Sequence, residues 1–354
     1  MINKGSLTYQ DYFKLFEDKK IQYEYFKTLQ IQPSSIDLTL SEECYEIVSS
    51  FLCPRDNVRD KLKYIQSKKI NLQEKYLFEK NKTYLVRLNE KLDLPNNIFG
   101  TCNPKSSTGR LDVFCRTILN CSDEYEKIPY NYKGEMFIEV TSQSFDIEFQ
   151  KGDSLNQMRL IYDQHVYISD KDLKKFHEDF FLTLDKDNKK VQPAVSSGLK
   201  ISVDLSKNNE INAFVAKNNT PTLYYRKIKF HKISDFWEVC STDNGRLIIE
   251  KNLFYILKSK EKIQIPKNMA GEMVPYDTSI GDFRAHYAGF FDPGFGSDSG
   301  SYAVLEVKTN EVPFLLEDGQ SIARIKFEKL NKNSNVTYGK EINSNYQNQS
   351  LALS

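Results

Sequence analysis

Two stretches of the chain repeat each other, and this repeat is the feature that most constrains the fold. Their sequences are YLVRLNEKLDLPNNIFGTCNPK at 84–105 and YILKSKEKIQIPKNMAGEMVPY at 255–276. Pro95 recurs as Pro266, and Pro104 recurs as Pro275 at the same separation. Turn residues rarely keep register over so many positions by chance, so the sequence predicts two copies of one fold.

The repeat continues outside these stretches at a slightly shorter separation. Glu139 recurs as Glu306, and Asp37 in SIDLTL recurs as Asp204 in SVDLS. Short loop insertions between the two copies would leave this small difference in separation. Asp37 lies in an alternating apolar and polar segment, so it is predicted on the polar face of a strand.

Each copy consists of short apolar segments separated by turns. In the first copy these segments are 84–88, 98–102, 111–117, 136–141, 145–149 and 155–162. This spacing is typical of a β-sandwich or barrel and not of alternating strands and helices. Patterns at 8–21, 55–67 and 170–181 predict a few short helices. The predicted division is a first copy at 1–168, a helix and linker at 169–192, and a second copy at 193–354.

Composition and charge exclude several classes of function. Lys plus Arg total 49 and Asp plus Glu total 48, so the formal net charge is only +1. A charge this small does not favour binding to nucleic acid or to a membrane surface. The sequence has no apolar run of about 20 residues and no N-terminal signal pattern. The six cysteines form no C-x-x-C pair, and the four histidines lack metal-ligand spacing. We therefore expect a cytoplasmic protein without a metal ion held by its own side chains.

One turn of the first copy is suited to a polyphosphate. Lys105, Ser106, Ser107 and Arg110 surround a glycine in the sequence KSSTGR. Hydroxyls and backbone N–H groups donate hydrogen bonds to phosphate, arginine binds it with two donors, and lysine adds a point charge. The corresponding segment of the second copy, 276–282, carries two aspartates in place of the cations and would repel phosphate.

The second copy has instead an aromatic, glycine-rich stretch at 284–306 that the first copy lacks. We predict two strands joined by a turn at Asp292-Pro293-Gly294, with a carboxylate, Glu306, on the return strand. An aromatic wall can hold a flat heterocycle, and a carboxylate at its base can move protons. Each copy has thus retained half of a site, and the sequence predicts one composite site with phosphates on copy one and a base on copy two.

The C-terminal tail adds a third component. Tyr338 and Tyr346, followed by Gln349, lie in an otherwise polar segment. Tyrosines in a tail can stack on a base or contact phosphate and so close over a ligand.

These motifs together resemble a known family. NPKSSTGRLDVF at 103–114, FRAHYAGFFDPGFG at 283–296, VLEV at 304–307 and the tail are similar to the long, two-repeat form of bacterial dCTP deaminase. That family belongs to the dUTPase-like superfamily. The resemblance implies two tandem dUTPase-like distorted β-barrel or jelly-roll repeats. It also implies deamination of dCTP to dUTP and ammonia without zinc.

The resemblance also implies roles for individual residues. Glu306 resembles the catalytic glutamate, with Ser106 beside it and the Ala288 carbonyl holding the attacking water. The implied substrate-binding residues are Lys105, Ser107, Arg110, His286, Tyr287, Phe290, Asp292, Tyr338, Tyr346 and Gln349. Lys105 departs from the arginine of single-repeat members, and Glu139 matches the glutamate position without its hairpin, which indicates a structural or vestigial role.

The expected partners are dCTP and dUTP, with dTTP a candidate inhibitor and the protein a homo-oligomer. Mg²⁺ is expected to bind through the triphosphate. Two alternatives stay open. One is a dUTP diphosphatase or a bifunctional enzyme, in which Asp292 would activate water against phosphorus. The other is a non-catalytic nucleotide sensor or a purely structural β-protein.

Overall fold

The computed structural model describes residues 3–206, 211–275, 283–285, 289–297, 299–309 and 311–339, and these are mainly β structure. They divide into two units. Unit 1 comprises Met1–His165 and Asn218–Lys232, and unit 2 comprises Val166–Lys217 and Ile233–Ser354. No helix among the described residues is long and apolar enough to cross a membrane.

Unit 1 is built from short strands with three helices and one 3₁₀ turn. Its first thirteen strands are β1 Gly5–Ser6, β2 Ile21–Tyr23, β3 Ile36–Leu38, β4 Leu40–Ile47, β5 Gln66–Asn71, β6 Tyr76–Phe78, β7 Thr83–Asp93, β8 Ile98–Pro104, β9 Val113–Leu119, β10 Lys127–Ile128, β11 Lys133–Ser142, β12 Ile147–Phe149 and β13 Asn156–Tyr162. The helical segments are α1 Tyr9–Glu17, the 3₁₀ turn Thr28–Gln30, α2 Val58–Ile65 and α3 Ser106–Gly109.

Two sheets of unit 1 enclose its core, and a smaller one extends it. The first sheet has the order β1-β13-β8-β10, with β3 also paired to β13. The second has the order β5-β4-β7-β11-β9, with β2 also paired to β7. The long strands are buried on both faces of the second sheet: Leu85 on β7 and Ile138 on β11 are both fully buried, although their cross-strand partners, Glu139 and Val86, place them on opposite faces.

The remaining strands and helices follow in chain order. They are α4 Asp170–Asp179, β14 Thr183–Leu184, β15 Leu199–Ser202, β16 Ala213–Ala216, β17 Leu223–Tyr224, α5 Ile233–Phe236, β18 Trp237–Val239, β19 Arg246–Ile249, β20 Phe254–Ile263, β21 Met269–Pro275, β22 Phe283–Ala285, β23 Phe290–Phe291, β24 Ser301–Thr309, β25 Phe314–Glu317 and β26 Ser321–Lys329. All belong to unit 2 except β17, which lies within the 218–232 segment of unit 1.

The two units share one strand topology, as the repeat predicts. The order β4-β7-β11-β9 in unit 1 recurs as β16-β20-β24-β22 in unit 2. Likewise β13-β8-β10 recurs as β26-β21-β23, and the β12-β6 pair recurs as β25-β19. Gly152 (φ 84°) and Gly319 (φ 78°) occupy the same left-handed turn position of the two copies.

One feature differs from the sequence-based expectation. The predicted strand at 284–291 is divided: β22 pairs with β24, whereas β23 pairs with β21 in a different sheet, which has the order β15-β26-β21-β23. The described part of this stretch is therefore a crossing between sheets and not a simple two-stranded hairpin. The segment Asn218–Lys232 packs with unit 1, where Leu223 of β17 pairs with Ile147 of β12 in parallel. The predicted ranges 1–168, 169–192 and 193–354 stay a prediction.

Candidate active site

The turn predicted to bind phosphate is held rigidly in unit 1 by hydrogen bonds within its backbone. The Lys105 carbonyl accepts hydrogen bonds from the N–H groups of Thr108 and Gly109, both at 2.9 Å. The Ser106 carbonyl accepts one from the Arg110 N–H at 3.0 Å. These bonds form the single helical turn α3 directly after β8. Ser106 and Ser107 are half-buried on it, and Arg110 is buried at 3% exposure.

Neighbouring residues anchor this turn to the sheets. The Thr108 hydroxyl donates to the Leu155 carbonyl at 2.7 Å, and the Lys105 N–H donates to the same carbonyl at 3.0 Å. Asp112, at φ 52°, ends the turn and accepts a hydrogen bond from the Ser144 hydroxyl at 2.6 Å. The backbone of the turn is thus fixed before any ligand binds, which lowers the entropic cost of binding.

The structure adds one residue that the sequence did not place at this turn. The Lys105 ammonium forms an ion pair with the carboxylate of Asp37, on β3. The sequence indicated that Asp37 lies on a polar strand face and recurs as Asp204. It did not indicate which cation would face it, because that depends on the long-range pairing of β3 with β13.

Glu306, the predicted acid–base residue, lies in the middle of β24 in unit 2. Its side chain is 6% exposed. In the sheet it is paired with Ile256 of β20, and the next residue, Val307, is paired with Ala285 of β22. A carboxylate in this position is largely withdrawn from bulk water.

The glycine-rich turn before β24 is tightly packed. Gly296 has φ 67°, and a Cβ added to it would lie 2.1 Å from the Ile263 carbonyl oxygen. The Asp292 carbonyl accepts the Phe295 N–H at 3.1 Å, and the Asp292 side chain is 7% exposed. Phe290 is 9% exposed and is paired with Glu272. Glycine at 296 is therefore required by both conformation and space.

Tyr338, from the predicted lid, docks on this same turn. Its N–H donates to the Pro293 carbonyl at 2.9 Å, and its ring centroid lies 5.6 Å from that of Phe295. The start of the tail is therefore ordered against the turn of unit 2. Ala288, His286, Tyr287, Tyr346 and Gln349 lie outside the described residues.

Glu139, the counterpart of Glu306 in unit 1, has different surroundings. Its side chain is 3% exposed, and burial raises its pKa, opposed by a hydrogen bond from Ser50 and the charge of Arg116. Arg116 is paired with Glu139 across β9 and β11, and its guanidinium lies 4.4 Å from the Phe114 centroid and 4.5 Å from that of Tyr125. The cross-strand neighbour of Glu139 is thus a cation held against two aromatic rings.

Among the residues that the structure describes, no group of three or more His, Cys, Asp or Glu side chains is placed to hold a metal ion.

Comparison with known proteins identifies the chain. The family description "2'-deoxycytidine 5'-triphosphate deaminase (DCD) N-terminal domain" matches residues 3–164, and that of the C-terminal domain matches residues 169–354. Among solved structures, the chain is similar to 2'-deoxycytidine 5'-triphosphate deaminase from Agrobacterium tumefaciens. The two are 35% identical with a TM-score of 0.87 over 94% of this chain and 99% of that chain.

These matches first define a class: the protein is a nucleotide-acting hydrolase of the C–N deaminase type with two dUTPase-like β domains. The chain belongs to the 2'-deoxycytidine 5'-triphosphate deaminase family, in its two-domain form. This confirms the family and the fold class predicted from the sequence.

Proposed function

We propose that the protein hydrolyses dCTP to dUTP and ammonia, with Glu306 as general acid and base. The observation that carries the proposal is the burial of Glu306 at 6% exposure within β24, next to the aromatic glycine-rich turn. Its counterpart Glu139 is also buried, but it lacks such a turn in the sequence, and its cross-strand neighbour is Arg116. We therefore assign the acid–base role to Glu306.

In this mechanism one carboxylate, that of Glu306, carries out every proton transfer. Glu306 removes a proton from the attacking water and delivers it to N3 of cytosine, which makes C4 electrophilic. The hydroxide adds to C4 and forms a tetrahedral adduct. The proton of the new hydroxyl then passes through Glu306 to the amino group, the C4–N bond breaks, and ammonia leaves with uracil formed. Ser106 and the Ala288 carbonyl would orient the water and the amino group.

The triphosphate is assigned to the turn of unit 1. Ser107 and Arg110 donate hydrogen bonds, and Lys105 adds positive charge, which suits phosphate oxygens. The complementarity of the two sequence copies supports the view that this turn and Glu306 serve the same substrate. We assign binding of the base to His286, Tyr287, Phe290 and Asp292. Tyr338, Tyr346 and Gln349 are assigned to the tail that closes over the substrate.

The cofactor and the cellular context follow from the same proposal. We assign Mg²⁺ to the substrate triphosphate, since hard cations prefer phosphate oxygens. The protein would need no zinc, so turnover is expected to persist when a zinc chelator is added with Mg²⁺ in excess. We further propose that the protein is a cytoplasmic homo-oligomer and that dTTP inhibits it.

The second candidate is a dUTP diphosphatase or a bifunctional enzyme. It would need Asp292 to activate water against phosphorus. Asp292 is 7% exposed and its carbonyl closes the turn to Phe295, so a turn role accounts for it. Product analysis separates the candidates.

To test the proposal, the protein is incubated with dCTP and Mg²⁺, and ammonia, dUTP and pyrophosphate are measured in the same reaction. Ammonia and dUTP in equal amounts without pyrophosphate support the proposal. Pyrophosphate as a further product would show a bifunctional enzyme, and the absence of ammonia would overturn deamination. Glu306→Gln should bind dCTP and release no ammonia.

A further inference from the structure

We propose that Asp37 is a positioning residue for the phosphate-binding lysine of unit 1. The inference starts from the ion pair between the Lys105 Nζ and the Asp37 carboxylate, whose side chains are 26% and 14% exposed. It rests on the proposed function, which assigns the Lys105–Arg110 turn to the triphosphate, and names a residue outside that turn that prepares it.

Asp37 is fixed by its strand. On β3 it is paired with Gln157 of β13, and its carbonyl accepts a hydrogen bond from the Gln30 side chain at 3.0 Å. Its neighbours Ile36 and Leu38 are fully buried. The carboxylate therefore projects from an anchored backbone, and it can hold a partner in one place.

Lys105 is the member of the turn that needs such a partner. Arginine has a planar fork that orients itself on phosphate, whereas lysine is a point charge on a flexible stem. Arg110 is also buried at 3% exposure, while Lys105 is partly open to solvent. Without a fixed partner the lysine would lose more rotamer freedom when it binds phosphate.

The same ion pair is compatible with phosphate binding. An ammonium group has three N–H donors, so Lys105 can keep one on Asp37 and direct another to a phosphate oxygen. Asp37 also carries a negative charge that opposes the anion, so its expected benefit is to the position of the lysine and not to the net charge.

The other copy shows that the shared fold does not by itself place this aspartate beside a lysine of the turn. Asp204, the repeat counterpart of Asp37, pairs with Lys258, whose side chain is 2% exposed. The sequence position that corresponds to Lys105 is Tyr276, which carries no charge. The aspartate thus faces a turn lysine only in the copy that has the cationic turn.

A double-mutant cycle tests the inference. We would measure kcat and KM for dCTP in Asp37→Asn, Lys105→Met and the double variant. Asp37→Asn is expected to raise KM about tenfold with kcat within about twofold, since it affects ground-state phosphate binding. In the Lys105→Met background the same change should have no further effect, and in Lys105→Arg its effect should shrink because the fork needs less positioning.

The matched control is Asp163→Asn. It removes a carboxylate from another lysine pair of unit 1, Lys4–Asp163, which is 2.8 Å long with side chains 53% and 46% exposed. We expect it to leave KM unchanged. An unchanged KM in Asp37→Asn, or an Asp37→Asn effect that persists with Lys105→Met, would overturn the positioning role. A wild-type protein that released no ammonia from dCTP would instead overturn the proposed function.

Discussion

Lys258 Nζ lies 3.3 Å from the carboxylate of Asp204 inside unit 2, with the two side chains 2% and 9% exposed. The ammonium also lies 4.7 Å from the ring centroid of Tyr302. A buried cation is tolerated because the carboxylate and the ring replace part of its hydration. The repeat counterpart of this aspartate in unit 1 faces solvent more openly, beside Lys105.

From this pair we predict that Asp204→Asn destabilises the protein by about 3–5 kcal/mol, because it removes the carboxylate that compensates the buried Lys258 charge. Adding Lys258→Met to this variant should restore much of the loss, since a methionine needs no counter-charge. Denaturant unfolding of the single and double variants measures this. An equal loss in both would show that the aspartate stabilises the unit by other contacts.

Glu126 should make the stability of the protein depend on pH. Burial raises its pKa to about 8 from the ordinary 4.5, and its Oε2 has no hydrogen-bond partner among the described residues. Because its pKa is raised in the folded state, the contribution of Glu126 to the free energy of unfolding is complete below about pH 4.5. That contribution is lost as the pH rises toward 8. Glu126→Gln keeps an acceptor for the Thr117 N–H, which the carboxylate binds at 3.0 Å.

We therefore expect the melting temperature of Glu126→Gln to exceed that of the wild type by a margin that grows between pH 5 and pH 8, a window set by the ordinary and raised pKa values. Thermal melts at both pH values measure the margin. A constant margin would show that this carboxyl does not titrate in that range.

Two glycines at left-handed positions allow the cost of backbone strain to be distinguished from the cost of a steric clash. Gly319, at φ 78°, has open space around an added Cβ except for the tip of Lys260 at 3.8 Å, so Gly319→Ala should cost about 1 kcal/mol from strain. Gly296→Ala adds a clash with the Ile263 carbonyl and should cost at least about twice as much. Urea unfolding of both variants checks this, and equal costs would contradict the packing described for the turn.

The sequence predicts the repeated topology because the residues that define it are local. Gly152 and Gly319 are needed for their own turns, and the strands follow from short apolar segments bounded by turn residues. The turn at 105–110 could likewise be predicted from its residue types, although its binding role stays a prediction. Long-range pairings were not predictable: the partner of Lys105, and the pairing of Leu223 with Ile147, depend on residues far apart in the chain.

The path of the chain near Phe290 also illustrates the limit of local pattern. Residues 284–291 are rich in aromatic residues, which favour strands, so the sequence predicts one strand. In the structure, Ala285 and Phe290 are paired in different sheets, which hydrophobic alternation alone does not reveal.

The central claim is that Glu306, and not its repeat counterpart Glu139, performs the deamination. The most direct test measures ammonia release from dCTP by the wild type, Glu306→Gln and Glu139→Gln, the same change at equivalent positions of the two copies. We predict that Glu306→Gln loses at least about a hundredfold in kcat while Glu139→Gln stays within about twofold. Wild-type turnover by Glu306→Gln, or an equal loss in Glu139→Gln with its fold intact, would contradict the account.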